Sequence, residues 1–503
     1  MTHPLKTKPV LLILLGFFVI RFLVCILMGI QPQDAYYTYY ADHLDLSYFD
    51  HPPMIAYFVK LSITLFGKHA AVVKLGDLFW STFTLYFFYL LAGHFLSYKR
   101  QLYATLIFGS SLLLSLVSII TTPDVPLLFF WTLTLLAILK ALEKDRFWHW
   151  MLVGLLIALT FDSKYTGLIL GACLVLFLLV SNQHRTKLFS YRPLVAFVVF
   201  LIGISPVILW NIEHDFASIK FQSSGRASAI STLSLMKPTN LLGFFGSQAA
   251  LINFVSFGLL LKAFWIIVKN LKSKLNKAKE QQLFLVCFSL PLFLIFALLS
   301  PIYWVKVNWI MPVYICGIIL ASYLIKPKGI KWTLGIGAVL HILGLIQVIW
   351  VPIPIKSDDT WVGWETLVEE IEPYSKAYPD HFFFADDHYK TSSILNFYSN
   401  DRYYYGGNII EHFALQYSMI DDDLSYLKGQ NAIMIDSESR DFVDYKEHKM
   451  IDDLFCFFEK VIELEPIYVR DSSGKIIKKF VVRECINFHP EQVPEEERSY
   501  IVY

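Results

Sequence analysis

Charged residues are scarce in this chain of 503 residues, where they make up only 17% of the sequence, against about 25% in an average soluble protein. Aromatic residues reach 16%, and the mean hydropathy is +0.50. A composition this apolar excludes a soluble globular protein, a disordered chain and a nucleic-acid-binding protein, because each of these needs many more charged groups.

Acidic residues are missing above all from the first part of the chain. Residues 1–351 contain 28 Lys and Arg but only 12 Asp and Glu, whereas residues 352–503 contain 15 and 30. The net charge of +1 therefore averages a region of +16 and a region of −15. This contrast predicts a transmembrane domain at 1–351 and a water-soluble domain at 352–503, joined at Pro352-Ile353-Pro354.

Cysteine is also rare, with six residues, and no cysteine or histidine spacing matches a structural zinc site. Four of the six lie in apolar runs, where cysteine is an ordinary buried residue. Cys456 and Cys485 lie in the acidic region, where they could form a disulfide in an oxidising compartment or remain thiols. The chain also lacks internal repeats, which excludes a repeat array.

Long apolar runs are abundant, and a run of about 20 residues crosses a bilayer as a helix. The first run is long and lacks a small-residue cleavage site, so we expect a retained anchor rather than a cleaved signal. Together the runs predict eleven membrane-spanning helices, at about 10–30, 71–97, 102–120, 124–140, 147–161, 165–181, 193–210, 241–267, 282–300, 308–325 and 332–351.

Basic residues indicate how these spans are oriented, because cytoplasmic segments of membrane proteins carry an excess of Lys and Arg. With the N-terminus inside, the inner segments hold 18 basic residues and the outer loops before residue 352 hold 7. An odd number of spans then places 352–503 outside. Most acidic residues of 1–351 also fall in outer loops, so carboxylate chemistry is expected on the outer face, where no nucleotides are available.

Residues 352–503 alternate between helix-like and strand-like stretches. Two of the strand-like stretches flank Ser473-Gly474, which favours a hairpin turn. We therefore expect a small α/β domain. The helix-like stretches are 364–375 and 391–398, and the strand-like ones are 381–385, 431–436, 461–470 and 475–483.

The first outer loop carries the most informative motifs. Asp34 lies just beyond the first span, where a carboxylate acts as a general base, as a metal ligand or simply as a solvated loop residue. Asp50 and His51 precede two prolines, which restrict the backbone and make this part of the loop stiffer than most. A stiff loop with an acid and an imidazole suits a functional site, although so short a motif also arises by chance.

Outer turns between later spans carry further acids and cations. Asp124 opens the fourth span, where it either caps the helix or takes part in a site. Lys164 and Lys306 lie at outer span ends, where a lysine either neutralises a phosphate or reaches toward the membrane surface. Arg226, in a longer outer loop, could hold an anionic head group through two hydrogen bonds.

Two charged residues lie close together inside the second span rather than at its end. Lys74 and Asp77 are three residues apart in the second span, which favours a local ion pair over a catalytic role. Each outer motif, taken singly, also has a plain structural explanation. Taken together, they place acids and cations at the outer ends of spans, above a membrane that supplies lipid substrates.

At these residues the chain resembles the polyprenyl-phosphate-sugar-dependent glycosyltransferases of the GT-C type. It is similar to bacterial relatives of the dolichyl-phosphate-mannose protein mannosyltransferases and of the lipid A aminoarabinose transferase, over most of its length. The motifs that carry the resemblance are Asp34-Ala35-Tyr36-Tyr37, His43-Leu44-Asp45, Tyr48-Phe49-Asp50-His51-Pro52-Pro53-Met54, Thr122-Pro123-Asp124, Ser163-Lys164-Tyr165, Trp210-Asn211 with His214, Phe221-Gln222, and Lys306 with Asn308-Trp309 and Pro312.

The resemblance implies a GT-C fold, that is, an all-α polytopic membrane protein of about eleven transmembrane helices with its site on the outer surface, followed by a soluble α/β domain. The family carries a pair of acids in its first outer loop; in this chain the pair reads Gln33-Asp34, so Asp34 acts alone. The family's second acid matches Asp124. The acid and cation of the aminoarabinose transferase loop fall on Asp50 and His51, where histidine replaces lysine and is charged only part of the time near neutral pH.

These matches predict a glycosyltransferase of a bacterial inner membrane. It transfers a sugar from a polyprenyl (undecaprenyl) phosphate to lipid A, another glycolipid or a protein at the periplasmic face, with inversion at the anomeric carbon and without a nucleic-acid partner. The expected site residues are Asp34 and Asp124 as catalytic acids, His51, Lys164, Arg226 and Lys306 as cations that bind the donor phosphate, Asp50 as a candidate ligand of a divalent metal, and Tyr36, Tyr37, Tyr48, Asn211 and His214 as lining residues.

Two other functions stay open at this stage. A transporter or flippase of a lipid-linked saccharide would carry its polar residues in the middle of the membrane on broken helices, whereas this sequence places them at outer loop ends. A membrane-anchored scaffold needs one or two spans rather than eleven. The donor sugar is not distinguished, since hexose, hexosamine and aminopentose all fit.

Overall fold

The computed structural model of the chain describes residues 7–223, 237–270, 277–353, 360–438, 453–471, 473–492 and 499–501. Contacts divide the chain into two units. The first unit comprises Met1–Leu27 and Leu44–Leu343, and the second comprises Met28–His43 and Gly344–Tyr503. The second unit therefore takes in a short stretch that follows α1, in addition to the C-terminal region.

The first unit is built from helices. Five of the described helices are long and apolar enough to cross a membrane, or up to eight spans if each bent helix pair counts as one. Eleven spans are therefore not confirmed, whereas a helical, multi-pass membrane region is. The helices are α1 Thr7–Met28, α3 Met54–Phe66, α4 Ala70–Gly93, α5 Tyr98–Gly109, α6 Leu112–Ile119, α7 Asp124–Lys144, α8 Phe147–Ser163, α9 Leu168–Val180, α10 Arg185–Leu188, α11 Tyr191–Gly203, α12 Ser205–Glu213, α13 Pro238–Leu251, α14 Phe254–Asn270, α15 Lys277–Cys287, α16 Leu290–Leu299, α17 Val313–Leu324 and α18 Pro327–Trp350, the last of which ends in the second unit.

Three helix pairs are bent, and local sequence explains the bends. Between α5 and α6 the bend is 57°, and the Ser111 hydroxyl caps the new helix by accepting the Leu114 N–H at 3.3 Å. Between α11 and α12 it is 41°, with a proline in the first turn of α12. Between α13 and α14 it is 114°, at Asn253, whose φ of 76° is left-handed. Each bend interrupts a run of apolar residues that sequence reasoning treats as one helix.

Small residues allow the helices of the first unit to approach closely. A Cβ added to Gly154 on α8 would clash with the Ala196 carbonyl oxygen on α11. Such contacts favour helix association in membranes because they bring backbones together. The core beside them is aromatic and aliphatic, and Trp131 and Trp150 are among its largest fully buried side chains. This packing brings the start of α7 and the end of α8 side by side.

The second unit contains the expected mixture of helices and strands. Its sheet has the order β2-β1-β3-β6-β4-β7, with β5 paired to β6; β1 runs parallel to β2 and β3, while β3, β4 and β5 run antiparallel to β6. The elements are α2 Pro32–Asp42, α19 Trp364–Glu370, α20 Glu372–Ala377, β1 Phe382–Phe384, α21 Lys390–Tyr398, β2 Tyr404–Tyr405, α22 Tyr417–Ile420, β3 Ala432–Glu438, β4 Phe458–Glu463, β5 Ile467–Arg470, β6 Ile476–Phe488 and β7 Ser499–Ile501.

Turns of this sheet follow the sequence pattern. Strands β5 and β6 form a hairpin around Gly474, whose φ of 85° is left-handed and therefore favours glycine. The strand-like stretches at 381–385 and 431–436 coincide with β1 and β3, which pair Phe382 with Ala432. Cys485 is fully buried in β6, where it pairs with Ala432 of β3 and Val461 of β4.

Candidate functional site

A buried polar cluster lies where α7 begins and α8 ends, in the first unit. Asp124 is the first residue of α7 and only 1% exposed, and Lys164 directly follows α8 and is 8% exposed. The Lys164 Nζ lies 2.8 Å from Asp124 Oδ1, and Asn308 Nδ2 donates to Asp124 Oδ2 at 2.6 Å. Both oxygens of the carboxylate therefore have a donor. Residues 40 and 184 positions apart meet at this point because of tertiary packing alone.

This cluster fixes a cation in a nearly buried position. A lysine ammonium has three N–H donors, and within the described part of the chain Lys164 uses one, toward Asp124. Backbone geometry sets its direction, because Lys164 is the extended residue that ends α8, with φ −162° and ψ 137°. A cation held in a nearly dry environment interacts strongly with an anion such as a phosphate.

The loop that connects α2 to α3 carries a second charged pair. The Asp50 side chain is nearly buried, and its Oδ2 lies 2.7 Å from His51 Nδ1. Gln222 Nε2 donates to the Asp50 backbone oxygen at 2.6 Å, and the Phe49 ring packs on that of Phe221, with centroids 4.9 Å apart. Contacts from 221–222 thus hold this loop in place.

The end of α12 supports the same loop from another side. Trp210 Nε1 donates to Asp45 Oδ2 at 2.7 Å, and the His214 ring stacks on Trp210 with centroids 4.1 Å apart. Asn211 is fully buried and donates to the Val207 carbonyl at 2.9 Å. The expected lining residues Asn211 and His214 therefore organise this turn through contacts within it.

Three further expected residues of the first unit have different placements. Tyr48 is fully buried; burial raises the pKa of its hydroxyl, which accepts the Asp45 N–H at 3.2 Å. Lys306 is exposed, and Asn308, two residues later, is the side chain from this turn that contacts Asp124. Arg226 lies outside the described residues.

The described residues do not fit a metal site. Among them there is no group of three or more His, Cys, Asp and Glu side chains that could hold a metal ion. Asp50, the candidate ligand, contacts His51, which gives two possible donors. Structural zinc takes four protein ligands, more than this pair provides, and we derive no step that runs through a metal.

Sequence reasoning missed two features of the first unit. Asp162, two residues before Lys164, is 7% exposed, and its Oδ1 has no hydrogen-bond partner among the described residues. In α4, Asp77 accepts the Thr121 hydroxyl at 2.5 Å, and Lys74 Nζ donates to the Ile119 carbonyl at 2.6 Å. These bonds cross from α4 to the turn that precedes Asp124, and the local pair that the spacing of Lys74 and Asp77 favours stays a prediction.

The other catalytic candidate, Asp34, belongs to the second unit. It is the third residue of α2, is fully buried, and its Oδ2 accepts the Gln31 N–H at 2.7 Å. Tyr36 and Tyr37 follow on the same helix and are also buried. Gln33, at the position of the family's first acid, has a buried Oε1 without a hydrogen-bond partner in the described ranges. The sequence placed Asp34 in a loop, whereas it lies in the first turn of a helix.

Comparison with known proteins supports the resemblance seen in the motifs. Residues 50–210 match the family model for dolichyl-phosphate-mannose-protein mannosyltransferase. Over 345 residues, the chain is 25% identical to the lipid A galacturonosyltransferase RgtD of Rhizobium johnstonii, which covers 66% of this chain and 69% of the relative. Both matches are to glycosyltransferases.

Solved structures support the fold. ArnT from Cupriavidus metallidurans superposes with a TM-score of 0.62 at 12% identity in the apo state, covering 94% of this chain and 97% of ArnT. The same protein bound to undecaprenyl phosphate gives 0.61 at 13% identity, with 95% and 98% coverage. The oligosaccharyltransferase of Archaeoglobus fulgidus gives 0.51 at 11% identity, with 94% and 74% coverage. The expected GT-C fold is thereby confirmed.

Proposed function

We propose that this chain is a membrane glycosyltransferase of the GT-C type that transfers a sugar from a polyprenyl phosphate to lipid A at the outer face of a bacterial inner membrane. The observation that carries the proposal is the buried Asp124–Lys164 pair in a chain with this fold. Lipid A is the preferred acceptor because RgtD is named for transfer to it, and a polyprenyl phosphate is the preferred donor because ArnT is described in complex with undecaprenyl phosphate.

The topology in this proposal has eleven spans, a cytoplasmic N-terminus and a periplasmic region 352–503. The bias of 18 basic residues against 7 supports this orientation. An outer site also accounts for the choice of donor, because the sugar has to arrive on a lipid where nucleotide sugars are absent.

The reaction is a single displacement at the anomeric carbon. The acceptor hydroxyl oxygen forms a bond to C1 of the sugar, the bond from C1 to the phosphate oxygen breaks, and the polyprenyl phosphate leaves with the electron pair. Attack from the opposite face inverts the configuration. In the proposed roles, Asp34 receives the proton of the acceptor hydroxyl, and Asp124 keeps the Lys164 ammonium in a fixed orientation.

Charge on the departing phosphate needs fixed cations. Lys164 is the cation that the geometry supports best, because its ammonium is held beside Asp124 in a nearly buried position. His51, held by Asp50 at 2.7 Å, is the second candidate. Arg226 and Lys306 stay in the proposal on the strength of the motifs, and Tyr36, Tyr37, Tyr48, Asn211 and His214 stay as residues that shape the site.

Mass spectrometry of lipid A tests this function. We expect a strain of the source bacterium that lacks the chain to lose one sugar from lipid A, and the wild-type chain to restore it. Asp124→Asn should fail to restore it, whereas Glu143→Gln, which alters an exposed acid paired with Lys144, should succeed. Unchanged lipid A with altered envelope proteins or other glycolipids would refute the acceptor.

A second measurement separates transfer from transport. The purified chain is placed in vesicles that contain a radiolabelled polyprenyl-phosphate sugar and lipid A in the same leaflet. Transfer predicts label on lipid A and free polyprenyl phosphate. Movement of the intact donor to the opposite leaflet, without labelled lipid A, would instead support a flippase.

A further inference from the structure

Helix α2, which carries Asp34, is part of the second unit although it directly follows α1 in the chain. The chain belongs to this unit from Met28 to His43 and then returns to the first unit at Leu44. Within the second unit, α2 packs against α21 of the C-terminal region. An isolated helix shorter than about 12–15 residues is marginal in water, and α2 has 11 residues. Its order therefore depends on what it packs against.

Aromatic rings form most of that packing. The Tyr36 ring lies over Tyr389, with centroids 4.4 Å apart. The Tyr39 ring stacks on Tyr417, with centroids 4.3 Å apart and an interplanar angle of 12°. Residues three apart lie on the same face of a helix, so Tyr36 and Tyr39 together present one face of α2 to the C-terminal region.

Hydrogen bonds also fix the orientation of these stacked rings. The Tyr36 hydroxyl accepts the Gln416 N–H at 3.2 Å. The Tyr39 and Tyr403 hydroxyls lie 2.6 Å apart, and Tyr403 donates to Asp421 Oδ2 at 2.8 Å. Burial raises the pKa of both tyrosines and raises the pKa of Asp421 to about 6. Near pH 7 the chain of hydroxyls therefore ends on a carboxylate, the stronger acceptor.

These contacts set the rotation of α2 about its own axis. Two positions, one helical turn apart, are held by both ring stacking and hydrogen bonds, so the helix cannot turn without breaking both. Asp34 lies two residues before Tyr36 on the same rigid helix. The direction of its carboxylate is thus linked to side chains nearly 400 positions later in the sequence.

We propose that the C-terminal domain positions the acid of the reaction, with Tyr39, Tyr403 and Tyr417 as positioning residues for Asp34. The domain then contributes to the chemical step itself, in addition to any role in choosing the acceptor. This inference rests on the proposed role of Asp34 as the proton acceptor. It predicts a lower kcat when these contacts are lost, because displacement of a reacting group by about 1 Å can lower the rate by about 100-fold.

The test uses the full-length chain in vesicles and removes single hydroxyls. Tyr403→Phe breaks the contact from the domain side, and Tyr39→Phe breaks it from the helix side. The matched control is Tyr374→Phe, because the Tyr374 hydroxyl donates to the Glu465 backbone oxygen, outside the contacts of α2 described above. We expect either test variant to lower kcat by about 10-fold, with the KM for the donor within about twofold and the control unchanged.

A second background separates positioning from general loss of structure. Loss of a general base costs about 100- to 10,000-fold, so Asp34→Asn should retain a residual rate that long incubations can measure. In that background Tyr403→Phe should have no further effect, because there is no carboxylate left to position. A merely structural role would lower the rate by the same factor in both backgrounds.

The outcomes separate a failure of this inference from a failure of the proposed function on which it rests. Full transfer by Asp34→Asn would overturn the role of Asp34, and the inference with it. Loss of transfer in Asp34→Asn, together with wild-type kcat in both Tyr39→Phe and Tyr403→Phe, would overturn the inference alone. An equal loss in the two backgrounds would also overturn it.

Discussion

The importance of the Asp124–Lys164 pair is tested most directly by removing one of its two charges. The two side chains are 1% and 8% exposed, and their charged atoms lie 2.8 Å apart. Breaking a buried ion pair by removing one partner costs about 3–5 kcal/mol, because the other charge stays buried without compensation. In Lys164→Met, Asn308 still donates to Asp124, so we expect the lower end of that range, about 3 kcal/mol.

The double variant shows whether the single variants lose stability because a buried charge is left without its partner or because packing is lost. Lys164→Met combined with Asp124→Asn leaves no buried charge, and the asparagine still offers an oxygen to Asn308. We therefore expect the double variant to be more stable than either single variant, since removal of both partners of a buried pair is often nearly neutral. Transfer should be lost in all three.

The measurements are the thermal midpoint in detergent and the rate of transfer in vesicles. The matched control is Lys144→Met, whose partner Glu143 is exposed and 3.7 Å away; such surface pairs contribute about 0–1 kcal/mol. Additive losses of stability in the double variant would refute the argument from buried charge. Transfer at the wild-type rate by the double variant would remove the cluster from the site.

Three further predictions follow from the same structure. Thr121→Val removes the hydroxyl that donates to Asp77. It should lower the free energy of unfolding by about 1–3 kcal/mol and should lower kcat, because Thr121 belongs to the turn that precedes Asp124. The control Thr132→Val, which alters a hydroxyl bonded within α7, should leave kcat unchanged. Asp162→Leu removes a buried oxygen without a hydrogen-bond partner among the described residues, so the thermal midpoint in detergent should rise, and a lower midpoint would contradict this reasoning. The hydrogen bond with Asp386 raises the pKa of His412; its stabilising contribution is thus full below the unfolded pKa of about 6.5 and is lost as pH rises through the higher folded value. Thermal melts between pH 6 and 9 should show that loss in the wild type but not in His412→Gln, and equal slopes would contradict it.

Sequence patterns located the charged residues of the first unit but did not pair them. Asp124 and Lys164 are each recognisable at an outer span end, because charge at the end of an apolar run is a local signal. Their contact depends on the close packing of α7 and α8, which no local pattern encodes. Thr121 and Asp77 illustrate the same limit, since their bond joins α4 to a turn 44 residues later.

The predicted spans do not correspond one to one with straight helices, for a different physical reason. A hydropathy run measures apolar length, whereas a helix ends wherever backbone geometry or a cap ends it. Asn253 has a left-handed backbone that separates α13 from α14, and Ser111 caps α6 after a bend. The apolar composition on either side is continuous, so composition alone counts such a pair as one straight helix.

The position of Asp34 was open to prediction from the sequence. Proline at the first helical position and an acid two residues later favour a helix start, and Pro32 and Asp34 have this spacing. Membership of α2 in the second unit was not predictable, because it depends on Tyr39 meeting Tyr403 and Tyr417. Only a structure relates residues so far apart in the chain.

Glutamine stands at position 33, where the family has its first acid. The contacts that hold Asp34 and its helix against the C-terminal region are therefore more important in this chain. Asp34, the remaining acid, accepts the Gln31 N–H, and the direction of its carboxylate is set by the helix. A pair of acids tolerates a small rotation because the second carboxylate can compensate, whereas a single acid cannot. Tyr36 and Tyr39 restrict that rotation. Restoring the pair with Gln33→Glu should therefore make transfer less sensitive to Tyr403→Phe, and an unchanged sensitivity would argue against a shared role for the two positions.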